Sequence, residues 1–428
     1  MILSGLPRNR LLILPAIAAF SIAVPAWALN ASCNPRELGA KGDGATKDTV
    51  AIQAAIDACE QRGGGTVRLT AGTYLSAPIV LKSNITLQLD RGATLLGSAD
   101  HGDYPARMEF RAPGLQPLVS ATNAVNVAIT GEGVIDGAGE TWWQMARAVK
   151  NAGVVGSGHP RPTLVVFDHC KHLLVEGVTI QNSPMWQLVP YYSEDVTIRK
   201  IKVLAPANSP NTDAIDPFSS SNVRIDHVFV DVGDDDIAIK SGEINSPGPD
   251  DPSRDITITD CTFLHGHGLS IGSEIAGGAS NIRAERIHFE GTDNGIRVKA
   301  NRDRGSNVGP LFFRDIEMKD VKNALVISEY YPKMLPPESE LPQPVTRLTP
   351  HFHDITIENL TAVGSASAGV IAGLPEAPIA GVVLRHVKIA ARSGMSISFA
   401  EVSGDGVEVR AVEGQAITKL AGAKVSLR

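Results

Sequence analysis

A short pattern of apolar residues recurs along most of the chain. Each copy reads apolar-x-apolar-x-x-apolar-x-apolar, and Asn, Asp or His precedes most copies. The alternation has the two-residue period of a strand, and the wider gap inside each copy predicts a corner between two short strands. The first apolar residues of the copies are Leu173, Val196, Val223, Ile256, Ile282, Leu311, Ile355 and Val382.

The spacing of these copies predicts the fold. Successive copies are 23, 27, 33, 26, 29, 44 and 27 residues apart, which is typical of a solenoid whose loops accept insertions. One coil cannot bury its own apolar face, so each strand must stack on its equivalent about 4.8 Å away. We therefore predict an all-β protein built as a parallel β-helix.

The open end of such a stack exposes strand edges, and a short N-terminal capping helix over residues 48–62 can cover it. Ile52, Ile56 and Cys59 fall on one helical face, and Asp48 is a candidate N-cap. A run of three glycines then ends the helix.

Two segments are predicted as loops beside a groove. One covers residues 145–162. The other covers residues 332–350, which hold six prolines and account for the 44-residue spacing.

Composition supports a globular protein. Hydrophobic residues make up 43% and charged residues 20% of the chain, which argues against disorder and against a basic nucleic-acid-binding tail. Four cysteines are too few for a disulfide scaffold. Cys33 and Cys59 can pair in an oxidising compartment, whereas Cys170 and Cys261 lie inside apolar segments and are predicted to be buried free thiols.

The first residues are typical of a signal peptide, which we place at residues 1–28. Arg8 and Arg10 precede an apolar run that ends in Ala26-Trp27-Ala28, a small-x-small cleavage pattern. The run is short for a membrane span, so we expect a secreted protein of residues 29–428 that forms one domain. Without those two arginines 37 basic residues face 46 acidic ones, a balance of −9. We expect no nucleic acid, no membrane and a monomer, and an acidic ligand would need a local basic site.

A further strand follows several copies and carries candidate chemistry. Four of these strands align through one apolar residue with spacings of 22, 32 and 27, which is one coil each. A parallel β-helix stacks the residues two positions earlier in one column, and two carboxylates stacked so closely need a partner or a raised pKa. The apolar residues are Ile215, Ile237, Leu269 and Ile296, and the column is Asp213, Asp235, His267 and Asn294.

More polar residues surround this column. Asp234 adds a third carboxylate, and glycines beside His267 leave space for a ligand. Arg297 and Lys299 lie at odd offsets from Ile296, so both point outward. Each segment alone has an ordinary interpretation, such as an acidic turn, a weak calcium site or an Asx turn. Their convergence on adjacent coils indicates a site with three acids, an imidazole and two cations.

Four segments, in this order and spacing, resemble the signature of the polygalacturonase family of glycoside hydrolases, family 28. They are Asn211-Thr212-Asp213, Gly233-Asp234-Asp235, Gly266-His267-Gly268 and Arg297-Val298-Lys299. The resemblance covers residues 38–331 and beyond. It implies a right-handed β-helix whose residues 29–428 form a catalytic domain. That domain would hydrolyse the α-1,4-galacturonosidic bonds of polygalacturonate or pectin with inversion, without a metal or another cofactor.

The resemblance also implies a role for each catalytic residue. Asp234 would be the general acid that protonates the leaving oxygen. Asp213 and Asp235 would hold and deprotonate the attacking water. His267 would keep the acid protonated or orient it.

Substrate-binding residues are implied in the same way. Arg297 and Lys299 would bind the uronate carboxylate through charge-assisted contacts, which a protein of negative net charge needs for a polyanion. Asn211 and Tyr331 would contact the sugar chain.

Two positions depart from the family pattern. Ala214 stands where glycine is usual, and Asp236 stands where many members have cysteine and would add charge beside Asp234. The presence of His267 and Lys299 argues against rhamnogalacturonan hydrolases, which generally lack these partners.

Several functions remain open. We expect endo action, because the His267 and Arg297 segments resemble those of bacterial endo-acting members. A loop that closes one end of the groove would instead make an exo-polygalacturonase. The sequence is also compatible with a hydrolase of decorated galacturonan, with a calcium-dependent pectate lyase and with a non-catalytic carbohydrate-binding β-helix.

Overall fold

The computed structural model describes residues 32–151, 160–336 and 340–428. The predicted signal peptide at residues 1–28 lies outside them. Parallel strands wind into stacked coils around one apolar core, which confirms the predicted all-β parallel β-helix. All eight predicted copies pair in one register, from Leu173 opposite Val196 to Ile355 opposite Val382.

Each coil has three faces, which we call face 1, face 2 and the groove face. Face 1 consists of Ser32–Cys33, Gly65–Leu69, Ile85–Leu89, Val125–Gly131, Lys171–Glu176, Glu194–Arg199, Ser221–Asp226, Asn307–Val308, Ala400–Asp405 and Lys424–Leu427. Face 2 consists of Asp43–Lys47, Gly72–Ser76, Ala93–Gly97, Val134–Asp136, Thr179–Gln181, Lys202–Leu204 and Phe229–Val232.

The groove face carries the predicted column. It consists of Ile79–Val80, Val119–Thr122, Val165–Asp168, Leu188–Tyr191, Ile237–Ile239, Leu269–Ile271, Asn294–Lys299 and Asn323–Ser328, with single bridges at Ile215 and Phe218. Longer strands bend around the corners and continue these faces in the C-terminal half. They are Ser253–His265, Ala279–Glu290, Leu311–Lys319, His351–Ala372, Ile379–Ser398 and Glu408–Lys419.

The polar residues before the copies make the corner onto face 1. Asp195, Asn222 and Asp255 have φ angles of 57°, 53° and 57°, a left-handed conformation that Asn and Asp adopt more readily than most residues. Their side chains also meet between coils: the Asn222 amide donates to Asp195, and the Asn281 amide donates to Asp255 at 2.7 Å. The polar residue at each copy therefore stabilises both the turn and the stacking.

The predicted capping helix is confirmed, and we label it α1 (Thr49–Gln61). Ile52, Ile56 and Cys59 are buried, and Cys59 forms a disulfide with Cys33. Asp48 is the N-cap residue, as predicted, but its side chain makes no capping hydrogen bond, because the carboxylate accepts from the backbone N–H groups of residues 41 and 42. The free cysteines Cys170 and Cys261 are buried as predicted.

The predicted loops are confirmed only in part. Residues 145–151 belong to a second helix, α2 (Glu140–Asn151), and residues 152–159 lie outside the described residues. The described parts of residues 332–350 contain no helix or strand, as expected.

The remaining elements are short. The antiparallel hairpin Ala106–Glu109 and Ala112–Leu115, which we call the hairpin, was not predicted. Within the described ranges, 3₁₀ turns also occur at Pro35–Leu38 and His101–Asp103. Within the described residues, no helix has the length and apolar character needed to span a membrane.

Candidate active site

The groove face places the four predicted segments on consecutive coils. Ile215 bridges Ile237, Ile237 pairs with Leu269, and Leu269 pairs with Ile296. This register confirms the alignment from which the column was predicted. The catalytic candidates therefore lie on neighbouring coils, although they are up to 86 positions apart in the chain between residues 213 and 299.

Asp234 and His267 form one pair in this site. The His267 Nδ1 atom lies 3.0 Å from Asp234 Oδ1, which also accepts from the backbone N–H of Asp235 at 2.9 Å. The second ring nitrogen of His267 lies 3.8 Å from Asp293. Burial alone would lower the pKa of His267, but the hydrogen bond to Asp234 and its charge raise that pKa above the ordinary value. The pair therefore holds an exchangeable proton beside the groove.

Asp235 is buried and paired with cations. Lys299 Nζ lies 2.6 Å and Arg297 Nη1 lies 3.3 Å from its two carboxylate oxygens, and the Ser270 hydroxyl donates at 2.8 Å. Burial acts to raise the pKa of Asp235, but Lys299, Arg297 and Lys240 hold that pKa well below its usual range. Asp235 is therefore ionised.

Asp213 is equally buried but differently paired. Lys240 Nζ lies 3.4 Å from its Oδ2 atom, and its Oδ1 atom has no protein hydrogen-bond partner in the described chain. Burial and the Asp234 charge raise the pKa of Asp213 to about 7, although Lys240 opposes them. The site thus contains one carboxylate that is held ionised and one that titrates near neutral pH.

The predicted substrate-binding residues divide into two groups. Tyr331 lies over the cationic side of the groove, with its ring centroid 5.6 Å from the Arg297 guanidinium and 5.4 Å from Lys299 Nζ. Asn211 lies at the edge, with a φ of 57°, and its side-chain oxygen accepts from Arg161 at 2.6 Å. The structure therefore brings Tyr331 to the acids and cations, whereas the Asn211 oxygen is bound by a protein residue.

Whether Asp236 adds a charge beside the acid, as expected from the sequence, depends on the surroundings of its carboxylate. Asp236 is buried and accepts a hydrogen bond from the backbone N–H of Gly268 at 2.8 Å. Burial raises the pKa of Asp236 well above its ordinary value, although the Gly268 hydrogen bond opposes the shift, so these surroundings favour the neutral form of the side chain over an added charge.

Several residues of the site were missed from the sequence. Lys240 follows Ile237 by three positions, as Lys299 follows Ile296, and the same offset argument would have found it. Ser270 follows its anchor by one position, as Arg297 does. Arg161 and Glu274 gave no signal, because they reach the site from loops.

The groove face is covered on the N-terminal side of the site. Phe110, at the tip of the hairpin, has its ring centroid 5.1 Å from that of Tyr191 and 5.9 Å from that of Phe218. Phe218 bridges Lys240 on the next coil. The hairpin therefore covers the coil directly before the one that carries Lys240.

Ion pairs hold the hairpin in this position. Arg111 Nη1 lies 2.8 Å from a carboxylate oxygen of Asp250, whose side chain is fully buried, and Arg347 lies 3.4 Å from the other oxygen. Arg347 also donates to the backbone oxygen of Ser246. Three segments distant in the chain therefore join at this end of the groove.

The opposite side of the site opens into a cationic cleft of about 190 Å³. Its lining includes Arg297, Lys299, Lys322, Tyr331 and Lys333. Pro332 and Met334, from the loop that follows Tyr331, line it as well.

One group of side chains at the site also has the composition of a metal centre. Ligand atoms of Asp234, Asp235 and His267 lie within 4.8 Å of one another. Calcium prefers oxygen ligands, and the carboxylate of Asp235 already contacts Lys299 and Arg297, whose charges would repel a cation. The residues present therefore fit a calcium ion poorly.

Comparison with known proteins decides the family. The model of glycosyl hydrolases family 28 matches residues 59–407. This chain belongs to glycosyl hydrolase family 28. The resemblance seen in the sequence is thereby confirmed, and the family 28 fold accounts for the stacked parallel strands.

Both endo- and exo-acting proteins occur among the relatives. A probable polygalacturonase of Vitis vinifera is 30% identical over 82% of this chain and 73% of its own length. An endo-polygalacturonase of Pectobacterium carotovorum subsp. carotovorum is 30% identical over 77% of this chain and 80% of its own length. The solved exopolygalacturonase of Thermotoga maritima has a TM-score of 0.70 at 28% identity, with 93% of this chain and 92% of that chain covered.

Proposed function

We propose that this family 28 protein is a polygalacturonase that hydrolyses α-1,4-galacturonosidic bonds. The observation that carries the proposal is the contact between the acids and the cations: Asp235 lies against Lys299 and Arg297, beside the Asp234–His267 pair. A neutral sugar would not require two cations next to the hydrolytic carboxylates, whereas a uronate does.

The role of Asp234 follows from its contact with His267, and those of Asp213 and Asp235 follow from their surroundings. Asp234, which shares a hydrogen bond with His267, protonates the leaving oxygen, and His267 resupplies the proton. Asp213 accepts the proton of the attacking water, because a general base works best when its pKa lies near the operating pH. Asp235 stays ionised and orients that water. The reaction inverts the anomeric centre, and ¹H NMR of the first product tests this step by showing which anomer forms.

Lys299 and Arg297 bind the carboxylate of the sugar on the leaving-group side. Tyr331, which lies against both cations, limits the positions that this sugar can take. Asn211 is held by Arg161 and supports the turn that carries Asp213, so we assign it a smaller direct role in substrate binding than the sequence implied.

We further propose exo action, in place of the endo action expected from the sequence. The support is the hairpin, which covers the groove one coil before Lys240 and is anchored through Asp250. A chain that occupies the site therefore has room for few sugars on this side. The end of the sugar chain must therefore lie beside the hairpin, and cleavage starts from that end.

Incubation with polygalacturonate in excess chelator tests these proposals together. Reducing ends, ultraviolet absorbance and product size are followed in the same samples, with Asp234→Asn as the inactive control. New reducing ends without absorbance, and products no longer than a dimer from the start, are expected. Unsaturated products would instead indicate a lyase, binding without turnover a carbohydrate-binding β-helix, and an early ladder of oligomers an endo enzyme.

We also propose that the protein is exported and monomeric. The apolar run within residues 1–28 and the disulfide between Cys33 and Cys59 both support an oxidising compartment outside the cytoplasm. Size-exclusion chromatography with light scattering of the secreted protein tests the monomer.

A further inference from the structure

Lys240 is a buried cation that the roles above leave without a function. Its side chain is 5% exposed and lies at the end of the groove-face strand Ile237–Ile239. Its Nζ atom sits 4.7 Å from the centroid of the Trp186 ring, on the side of the groove that the hairpin closes. A lysine in such a place needs anionic partners, because burial of an unpaired ammonium group is costly.

Three carboxylates surround this ammonium group. The Nζ atom lies 3.4 Å from Asp213, 3.6 Å from Glu274 and 3.9 Å from Asp216. Among the described residues, Lys240 is the one cation within 4 Å of Asp213. Both carboxylate oxygens of Asp216 are buried without a hydrogen-bond partner in this part of the chain. Burial and the Asp213 charge raise the pKa of Asp216 well above its ordinary value, and Lys240 opposes this shift.

Lys240 and Lys299 differ in how their charge is divided. Lys299 lies 2.6 Å from Asp235, and Arg297 also contacts this residue. The Asp235 carboxylate is therefore paired with two cations. Lys240 instead stands between three carboxylates at longer distances, and only part of its charge acts on Asp213. The result is one catalytic carboxylate held firmly as an anion and another whose ionisation depends on one shared lysine.

We infer that Lys240 is a positioning residue for hydrolysis, which holds the Asp213 carboxylate toward the attacking water and sets the pH at which this carboxylate ionises. The inference rests on the proposed function and adds to it a residue that acts through Asp213. Glu274 extends the arrangement, because it lies between Lys240 and Arg304, and Arg304 in turn contacts the Tyr331 ring.

The sign of the effect follows from the charges around Asp213. These charges come from the segment of Asp213 itself, from the coil of Asp234 and Asp235, and from the neighbouring cations. Removal of Lys240 leaves the negative ones in place, so the pKa of Asp213 rises further and the base is protonated over a wider pH range. The groups are Asp216, Asp234, Asp235, Lys240, Lys299, Arg161 and Glu274.

Lys240→Gln tests this inference, with Lys202→Gln as the matched control on face 2. We expect kcat on polygalacturonate to fall about 100-fold, with KM changed less than threefold, because the lost group acts on the base. We also expect the acid limb of the kcat/KM profile to move to higher pH by about 1 to 3 units. The control should leave both quantities unchanged.

Other outcomes overturn the inference. A KM that rises tenfold or more with an unmoved pH profile would make Lys240 a substrate-binding residue. An unchanged kcat and profile in folded Lys240→Gln would remove it from the reaction. If the wild-type enzyme itself fails to hydrolyse polygalacturonate, the proposed function fails first.

A second variant keeps the test independent of folding. Glu274→Gln removes a carboxylate that competes for Lys240, so more of the lysine charge acts on Asp213. The acid limb should then move to lower pH, opposite to the Lys240→Gln shift. An unmoved limb in folded Glu274→Gln would contradict the inference even if Lys240→Gln does not fold, and melting curves of both variants establish their folded state.

Discussion

The two sides of the active site are built from different chemistry. On the N-terminal side, aromatic rings and a hairpin cover the groove, and the buried cation Lys240 is shared by three acids. On the C-terminal side lies the cationic cleft, which we call the open side, and two of its cations, Arg297 and Lys299, contact Asp235. The covered side limits which part of a chain can enter, and the open side attracts its charge. Selection by shape and selection by charge thus lie on different coils, because the coil of Phe218 is three coils before the coil of Lys299.

Asp234→Asn should have the largest effect on the rate, because it removes the general acid that lies between the two sides of the site. The amide cannot donate the proton that the leaving oxygen needs, so we expect kcat to fall about 10²- to 10⁴-fold. Initial rates of reducing-end formation measure the loss. Asp405→Asn, on an exposed strand of the last coils, is the control. If Asp234→Asn keeps its activity, another group must act as the general acid.

Arg297→Gln weakens the open side. Loss of one charge-assisted contact to a uronate should raise KM about 10- to 100-fold, and the salt dependence of KM should become shallower. Arg283→Gln, an exposed arginine of face 1, should change neither quantity. An unaltered KM in Arg297→Gln would show that the cations of the open side serve only Asp235.

The pH profile sharpens the comparison, because each side holds one carboxylate of the water-binding pair. If Asp213 is the base, kcat/KM should fall tenfold per pH unit as the pH drops through its raised pKa of about 7, since the protonated form cannot accept a proton. If Asp235 is the base, activity should persist far into the acid range, because its pKa is lowered. Rates across the range from pH 4 to pH 9 (about five units) separate the two cases.

Arg111→Ala loosens the covered side, and its effect should be the smallest. The hairpin loses its ion pair with Asp250, so longer chains can pass and the early share of products above a dimer should rise several-fold. Product sizing at low conversion measures this share. Arg286→Ala removes a similar pair with Asp260 at a corner outside the groove and should leave the products unchanged. If Arg111→Ala gives the same products as the wild-type enzyme, a segment other than the hairpin must limit the length of the bound chain.

Much of the fold could be predicted because the coils repeat. The register from Leu173 onward followed from spacing alone, since every coil buries the same positions. The earlier coils escaped notice because the hairpin lies between Ile85 and Val127 and α2 lies between Val127 and Leu173, which breaks the regular spacing.

The site was predictable where it lies on strands and not where it depends on loops. Asp213, Asp235 and His267 share one offset from their anchors, and the register brings that offset into one column. The closure was not predictable, because Arg111 meets Asp250 across 139 positions through contacts that no local pattern encodes. The raised pKa of Asp236 was missed for a related reason, since the burial that causes it depends on the packed coils.

The strict register between coils also constrains how this enzyme can change. An extra residue inside a groove-face strand would shift Asp213 or Lys299 against its neighbours and reverse which side chains face outward. An extra residue at a corner leaves the strand pairing intact, and even the 44-residue interval before Ile355 does so. Evolution can therefore lengthen, exchange or delete the walls of the groove while the spacing of the reacting groups is inherited unchanged.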